Sequence, residues 1–397
     1  MSAELAAVLR RLYERVPLGM RLGLGPMREA CARRGHPERA FPVVHVAGTN
    51  GKGSVCAMVE SIARAHGLRT GLYTSPHLVR FAERIQIDGQ PMDNDALAET
   101  LDAVLHEDPP LSFFEAATLA AFAAFRAEKV DVAVVEVGLG GRLDATNVVP
   151  TPRAAAITRI AMDHADRLGN SLVEIAHEKA GIAKRGLDIV LGPMPPEVRR
   201  AIDAVAQENG ATTSDAQDDP IANAIGLPGE HQVDNARIAA TLGVRLGASR
   251  SAIERGLATV RWPGRLERIG RYLLDAAHNP DGAGALARFV ASLGVPGRGG
   301  SVGLVFGTMA DKDWRSMLEL VLPLTRTAVF VAPEVAARSA VNPQTMAAEY
   351  GGTVAPSVER ALEMAQGELV VVTGSLVLVG AARSALLDLP KDPPVAL

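Results

Sequence analysis

The sequence predicts an α/β protein built on parallel sheets with crossover helices, and three observations predict it. Short β-branched runs alternate with amphipathic helical stretches along almost the whole chain. One of those runs opens into a glycine-rich loop and then a helix, a common setting for a phosphate site. The chain is also long enough, at 397 residues, for two separate cores.

The strand candidates, in order, are residues 43–46, 132–137, 154–160, 189–191, 272–275, 302–306, 328–331 and 369–372. Residues 54–66 and 283–293 are among the amphipathic stretches between them, and residues 233–259 form a longer helical one. Residues 211–228 are polar and contain Gly and Pro, which predicts a loop or an irregular edge. Trp262-Pro263-Gly264 follows the long helical stretch and precedes a new strand–turn–helix series. A boundary there predicts domains at 1–262 and 263–397. There are no repeats and no low-complexity tract.

Composition narrows the function classes. The net charge of −4 supplies no basic field for nucleic acid or a membrane surface. Aromatics make up 4% of the residues, too few for a stacking platform for single strands. Cys31 and Cys56 lie in helical stretches away from any metal-type spacing, which fits a reducing compartment. Glu4, Arg10, Arg11, Glu14 and Arg15 interrupt the N-terminal stretch, so no secretory apolar segment is expected. The apolar runs at 132–135 and 369–372 are of strand length, too short to cross a bilayer. The expectation is a cytoplasmic, monomeric enzyme acting on small molecules.

The strand at 43–46 runs into Gly48-Thr49-Asn50-Gly51-Lys52-Gly53-Ser54. Glycines let main-chain N–H groups converge on phosphate oxygens, and a helix N-terminus adds its positive dipole end. Lys52 supplies a point charge, and Thr49 or Ser54 a hydroxyl near a metal. The loop departs from the usual nucleotide-binding pattern. Val46 stands at the position of the first glycine, and Gly53 separates Lys52 from the hydroxyl residue.

This variant loop resembles that of the Mur-ligase-like ATPases and, within them, the folylpolyglutamate synthase/dihydrofolate synthase family. Further stretches carry the resemblance in order: Thr74-Ser75-Pro76-His77-Leu78, then Ser112-Phe113-Phe114-Glu115. A long one follows, Glu136-Val137-Gly138-Leu139-Gly140-Gly141-Arg142-Leu143-Asp144-Ala145-Thr146-Asn147, and then Asp163-His164 and Glu178-Lys179-Ala180-Gly181-Ile182. After these come His231-Gln232 with Asn235-Ala236, Gly264-Arg265, Asp275-Ala276-Ala277-His278-Asn279-Pro280 and Asp311-Lys312-Asp313. The match runs from about residue 45 to 315.

The resemblance implies a Mur-ligase-like P-loop ATPase domain with a parallel sheet, and a smaller C-terminal Rossmann-like domain. It implies ATP held by Thr49, Asn50, Gly51, Lys52, Gly53, Ser54, Asn235, Arg265 and Asp275. Two Mg²⁺ ions, replaceable by Mn²⁺, fall to Ser75, Glu136, His164 and Lys179. Glu136 suits that task by itself, as a carboxylate at the carboxyl end of a strand. His164 taken alone is an ordinary packed or surface histidine. Lys179 cannot ligate a cation as an ammonium, and the family resolves this by carbamylating the matching lysine. Phe114, Arg142, Leu143 and Asp144 match substrate contacts, although Phe114 suits an apolar core equally well. Arg142 could instead serve the transferring phosphate. Residues 20–22 match a pterin-contacting loop but lack its acidic residue. His278 is a candidate for orienting phosphate or glutamate, beside a capping role for Asn279-Pro280.

The implied reaction activates a dihydropteroate or folate carboxylate as an acyl phosphate and joins it to L-glutamate. Lys52, Arg142, Lys179 and His278 are the candidate catalytic residues. A two-domain chain with ATP ligands in both parts also suggests closure to exclude water. Two alternatives remain. One is a cell-wall amino-acid ligase of the same superfamily. The other is a nucleotide switch, although Asp311-Lys312-Asp313 lacks the asparagine of the guanine-reading motif.

Overall fold

The computed structural model describes residues 2–16, 23–217, 225–295, 301–334 and 339–392. The chain forms two compact units. The first comprises Met1–His77, Phe81–Gly226 and Gln232–Arg261, and the second Leu78–Arg80, Leu227–His231 and Trp262–Leu397. The candidate pterin loop at 20–22 lies outside the described residues.

The first unit is built on eight strands: β1 (Val43–Ala47), β2 (Thr70–Tyr73), β3 (Ile85–Ile87), β4 (Gln90–Pro91), β5 (Val132–Glu136), β6 (Ala154–Ile157), β7 (Asp188–Leu191) and β8 (Thr212–Asp215). Their order is β4-β3-β2-β5-β1-β6-β7-β8, and all pair in parallel except β3 with its two neighbours. Strands β1 and β5 are buried at every position because helices cover both faces, so they show continuous apolar runs and no alternation. On one side Val43, Ala133 and Val135 pack with side chains of the helices Ala3–Tyr13, Asn94–Leu105 and Phe113–Ala127. Farther along the same face, Ala47, Ala155 and Ile189 pack with the helices Leu172–Ala180 and Pro196–Glu208.

The second unit holds six strands: β9 (Glu267–Ile269), β10 (Tyr272–Leu274), β11 (Val302–Phe306), β12 (Thr327–Phe330), β13 (Thr353–Val354) and β14 (Leu369–Thr373). The order is β13-β12-β11-β14-β10-β9, with β9 alone antiparallel. Leu304 and Val371 pack with the helices Pro280–Ser292 and Trp314–Val321, while Val305 and Val372 pack with Val358–Met364 and Leu376–Leu387. Both units are therefore α/β with parallel-dominated sheets, as the alternation predicts.

Two predicted elements change. The strand expected over 154–160 stops at Ile157, because Thr158 and Arg159 turn to meet the glycine-rich loop. The helix expected over 233–259 is two helices, His231–Arg245 and Arg250–Thr259. Gly247 takes a φ of 84°, open to glycine, and the Ser249 side chain caps the second helix. The polar stretch 211–228 contains edge strand β8 before residues 218–224, which lie outside the described residues.

Candidate active site

The glycine-rich loop leaves the carboxyl end of β1, the point where chain connections diverge to β2 on one side and β6 on the other. Open parallel sheets bind ligands at such points. Gly48 takes a φ of 142°, and a Cβ there would lie 1.9 Å from Thr158 Oγ1, so only glycine fits. Gly51, at a φ of 92°, meets Asn235 Oδ1 in the same way, with 2.4 Å to a hypothetical Cβ. Thr158 Oγ1 donates to the Asn50 carbonyl at 2.8 Å, and the Thr49 and Asn50 N–H groups donate to the Arg159 carbonyl. Those two amides hold the loop's shape. Lys52, Gly53 and Ser54 occupy the first turn of the helix Lys52–Ala65, whose N–H groups have no acceptor within the helix and point at any phosphate placed there.

Asn235 is buried against this loop. Its Nδ2 donates to Gln232 Oε1 at 2.9 Å, and Gln232 Nε2 donates to Ser54 Oγ at 3.3 Å. Gln232 is thus part of the cradle. It adjoins His231 in the sequence, and its only advance signal was the His231-Gln232 pair.

Two ammonium groups share one acceptor. Lys52 Nζ donates to the Gly48 carbonyl at 3.0 Å and to that of Thr49 at 3.0 Å. Lys179 Nζ donates to the same Gly48 oxygen at 2.8 Å. Lys179 is 4% exposed, and burial followed by repulsion from Lys52 lowers its pKa to about 7. Near neutral pH a large fraction of it is a free amine.

Glu136 ends β5 directly beside Val46 of β1. Its buried carboxylate accepts the Ser75 N–H at 3.0 Å through Oε2, so the carboxylate and the Ser75 residue lie together next to the loop. His164 sits at a φ of 50°, with Nε2 3.9 Å from Asp163 Oδ1. Among the described residues, no group of three His, Cys, Asp or Glu side chains is spaced to hold an ion. A hard divalent ion that keeps water and phosphate oxygens in its shell needs only one or two protein oxygens, and Glu136 with Ser75 fits that demand.

Asp144 is buried and committed to its own turn. Oδ2 accepts the Leu139 N–H at 2.9 Å, and Oδ1 accepts the Thr146 N–H at 3.0 Å and the Thr146 hydroxyl at 2.5 Å. Because that hydroxyl donates to Asp144, it accepts from His45, whose Nε2 stands 2.8 Å away. His45 therefore carries its proton on Nε2, and its buried Nδ1 is left without a partner among the described residues. Burial and nearby Lys184 hold its pKa down to about 3, so the ring is neutral. Nothing local in the sequence marks His45 as a support for Asp144.

Arg142 pairs with Glu178 at 2.8 Å and not with neighbouring Asp144. The pair is mostly exposed and contributes little stability, which leaves the guanidinium easily redirected to a ligand. Leu143 is half-buried next to it. Ser112 and Glu115 form a capping box at the start of the helix Phe113–Ala127, which fixes Phe114 against Gly138, where a Cβ would come within 2.3 Å of the ring.

In the second unit, Asp275 is buried with both oxygens accepting main-chain N–H groups, from Leu266 and Ala277 at 3.0 Å each. Arg265 Nη1 donates to the Gly264 carbonyl at 3.2 Å. His278 Nδ1 lies 2.9 Å from the Ala276 carbonyl, and Asn279 caps the helix Pro280–Ser292.

Two family models match the chain: the Mur ligase middle domain over residues 46–190 and the Mur ligase glutamate ligase domain over 264–376. The dihydrofolate synthase/folylpolyglutamate synthase of Bacillus subtilis is 33% identical, across 94% of this chain and 97% of the relative. The solved structure of Mycobacterium tuberculosis folylpolyglutamate synthase with ADP superposes with a TM-score of 0.88 at 32% identity, covering 98% of this chain and 99% of that one. The bifunctional enzyme of Yersinia pestis, solved with AMPPNP and a Mn ion, superposes with a TM-score of 0.85 at 32% identity, covering 97% and 98%.

Proposed function

The chain belongs to the folylpolyglutamate synthase/dihydrofolate synthase family of Mur-type ligases, and from that premise we propose how its residues divide the work. It is an ATP-dependent ligase that forms a C–N bond between a pteroate or folate carboxylate and the amine of L-glutamate. The γ-phosphoryl group passes to the carboxylate, the amine attacks the acyl phosphate, and phosphate leaves. The names of the relatives favour folate over a cell-wall substrate.

The observation that carries the assignment of roles is the convergence on Gly48 of two lysines, with Glu136 on the adjoining strand. Lys52 rests on neutral carbonyls, and the anionic oxygens of a nucleotide are the stronger partners for it. The first-turn amides of Lys52–Ala65 and the Ser54 hydroxyl complete a phosphate cradle, with Thr49, Asn50, Gly51 and Gly53 giving the loop its form. Glu136 and Ser75 hold a divalent ion, and His164 with Lys179 hold a second. The ions supply charge neutralisation for the phosphates. Lys179 serves in the carbamylated form, in which the neutral amine adds to CO2 and releases a proton to leave an anionic carbamate. Its lowered pKa supports that reading.

Arg142 leaves Glu178 to stabilise the transferring phosphate or to grip the substrate carboxylate. Phe114, Leu143 and Asp144 border the pteroyl group. Residues 1–262 form the ATP-binding domain and 263–397 the glutamate-ligase domain. Arg265 and Asp275 serve the nucleotide and His278 the phosphate or glutamate.

Lys52→Ala and Glu136→Ala test the assignment. Each variant should lose ATP-dependent glutamate incorporation by at least about a thousandfold while unfolding near the wild-type temperature. Near-wild-type turnover in either variant overturns the site.

A further inference from the structure

A second cluster of cations lies at the other end of the first unit's sheet. Arg153 precedes β6 and Asp188 opens β7, so both mark the amino ends of strands whose carboxyl ends face the phosphate loop. Two recesses open there, of about 350 and 230 Å³, and Lys184 lines both. Each carboxylate at their walls has an arginine partner, and Glu38 keeps one buried oxygen, Oε2, without a partner among the described residues. Glu38 pairs with His36 and Arg39, and Asp188 with Arg245. Arg28, Arg153, Lys184 and Arg185 remain, and none of them is paired with a carboxylate among the described residues.

Arg28 and Lys184 line the smaller recess, and Lys184, Arg153 and Arg185 the larger, a local concentration of cations in a chain whose net charge is −4. Lys184 is half-buried, and its only hydrogen bond among the described residues is to the Asn147 carbonyl, at 3.3 Å. Arg28 stands close enough to depress its pKa further below the value that burial sets. Bringing like charges together with no anion between them costs free energy that a bound anion returns. A second feature points to the kind of anion. Asn147 lines the smaller recess and is 4% exposed. Its Nδ2 is committed to the carbonyls of Arg142 and Gly181 at 3.0 Å each, while its buried Oδ1 has no partner among the described residues. An unmatched buried acceptor calls for a donor.

We propose that the recess around Lys184, Arg28 and Asn147 is a second anion site, separate from the nucleotide loop, which takes a phosphate group able to donate a hydrogen bond. Hydrogen phosphate and small phosphate monoesters share the required chemistry. Lys184 and Arg28 bind the anionic oxygens. The phosphate O–H, or a donor on the ester's organic part, satisfies Asn147 Oδ1. Sulfate matches the charge and size but carries no proton at neutral pH, so it leaves that acceptor unpaired.

The test is calorimetric titration of the full chain with its nucleotide loop filled by a non-hydrolysable ATP analogue and Mg²⁺. Inorganic phosphate, glycerol phosphate and sulfate are the three probes. Phosphate should bind saturably and about tenfold or more tighter than sulfate. Lys184→Gln and Arg28→Gln should each weaken phosphate at least about tenfold with ligase turnover unchanged. Tighter binding of glycerol phosphate than of phosphate identifies an ester as the occupant, and the reverse identifies free phosphate. No saturable phosphate binding, equal binding of phosphate and sulfate, or wild-type affinity in Lys184→Gln each overturns the proposal.

Discussion

Lys179 shows how one side chain can be made reactive by placement alone. It is buried near the end of a helix, and among the described residues the one oxygen it reaches is shared with Lys52. Both facts penalise the ammonium, and its pKa falls from 10.5 to about 7. The linkage has a definite sign. Between about pH 7 and 10.5 the unfolded chain holds a proton that the folded chain has released, so folding becomes more favourable as pH rises. The slope for this group is about 1.4 kcal/mol per pH unit. Lys179→Met should lack that slope, so the stability difference between wild type and variant should change by about that amount per pH unit, measured by urea unfolding at several pH values. Parallel stability curves for wild type and variant would show that the lysine is not perturbed. Carbamylation adds a separate expectation. Activity should depend on bicarbonate, and a short-chain carboxylic acid should partly restore Lys179→Ala. An inactive variant deaf to both additions refutes the carbamate.

Among elements, the helices Lys52–Ala65 and Arg250–Thr259 make the closest approach that glycine permits. A Cβ on Gly256 would lie 2.5 Å from the Ile62 Cα, and Ser61 Oγ donates to the Gly256 carbonyl at 2.8 Å. Helix propensity alone favours Ala over Gly by about 1 kcal/mol. Overpacking costs about 1–3 kcal/mol, and the upper half of that range applies where the obstacle is main chain, so Gly256→Ala should destabilise by about 1–2 kcal/mol net. Gly243→Ala serves as the control. Its Cβ would meet the Ile62 Cγ2 at 2.9 Å, the end of a side chain that can move. Equal or higher stability of Gly256→Ala in urea titrations would contradict the packing argument.

The same scale shows what was legible beforehand. Strands β1, β5, β11 and β14 announced themselves because burial on both faces demands unbroken apolar runs. β2 and β8 did not, because Thr70-Gly71 and Thr212-Thr213-Ser214-Asp215 become strands only through neighbours far along the chain. In the site, the phosphate loop was legible from contiguous residues. The support of Asp144 was not, since His45 lies 101 positions away from Thr146. Local pattern marks a binding loop, while the interior groups that stiffen it are set by tertiary contact.

Across the whole molecule, acid should act on the two units unequally. In the first, burial and neighbouring cations push His45 down to about 3 and hold His77, which accepts from Arg84 Nε at 2.8 Å, well below its ordinary range. Each stays neutral when folded but takes a proton when unfolded below about pH 6.5. The unfolded chain then binds more protons, and stability falls as pH drops, by about 1.4 kcal/mol per pH unit for each histidine. Asp144 works in the opposite sense, because burial raises its pKa and lets the folded chain keep a proton longer. The two histidines together lower stability by up to about 2.8 kcal/mol per pH unit between roughly pH 6.5 and 4.5, and Asp144 offsets part of that. In the second unit His231 is lowered and Asp275 raised, and their contributions oppose each other. Surface carboxylates with lowered pKa there, Glu349 and Glu359, act only below their ordinary value of 4.5. Both tryptophans, Trp262 and Trp314, belong to the second unit, so their emission reports on it alone. On acidification toward pH 4.5, hydrogen-exchange protection in β1, β5 and β6 should be lost while tryptophan emission stays native. Simultaneous loss of both signals, or loss of the tryptophan signal first, would show that the buried histidines do not set the acid limit.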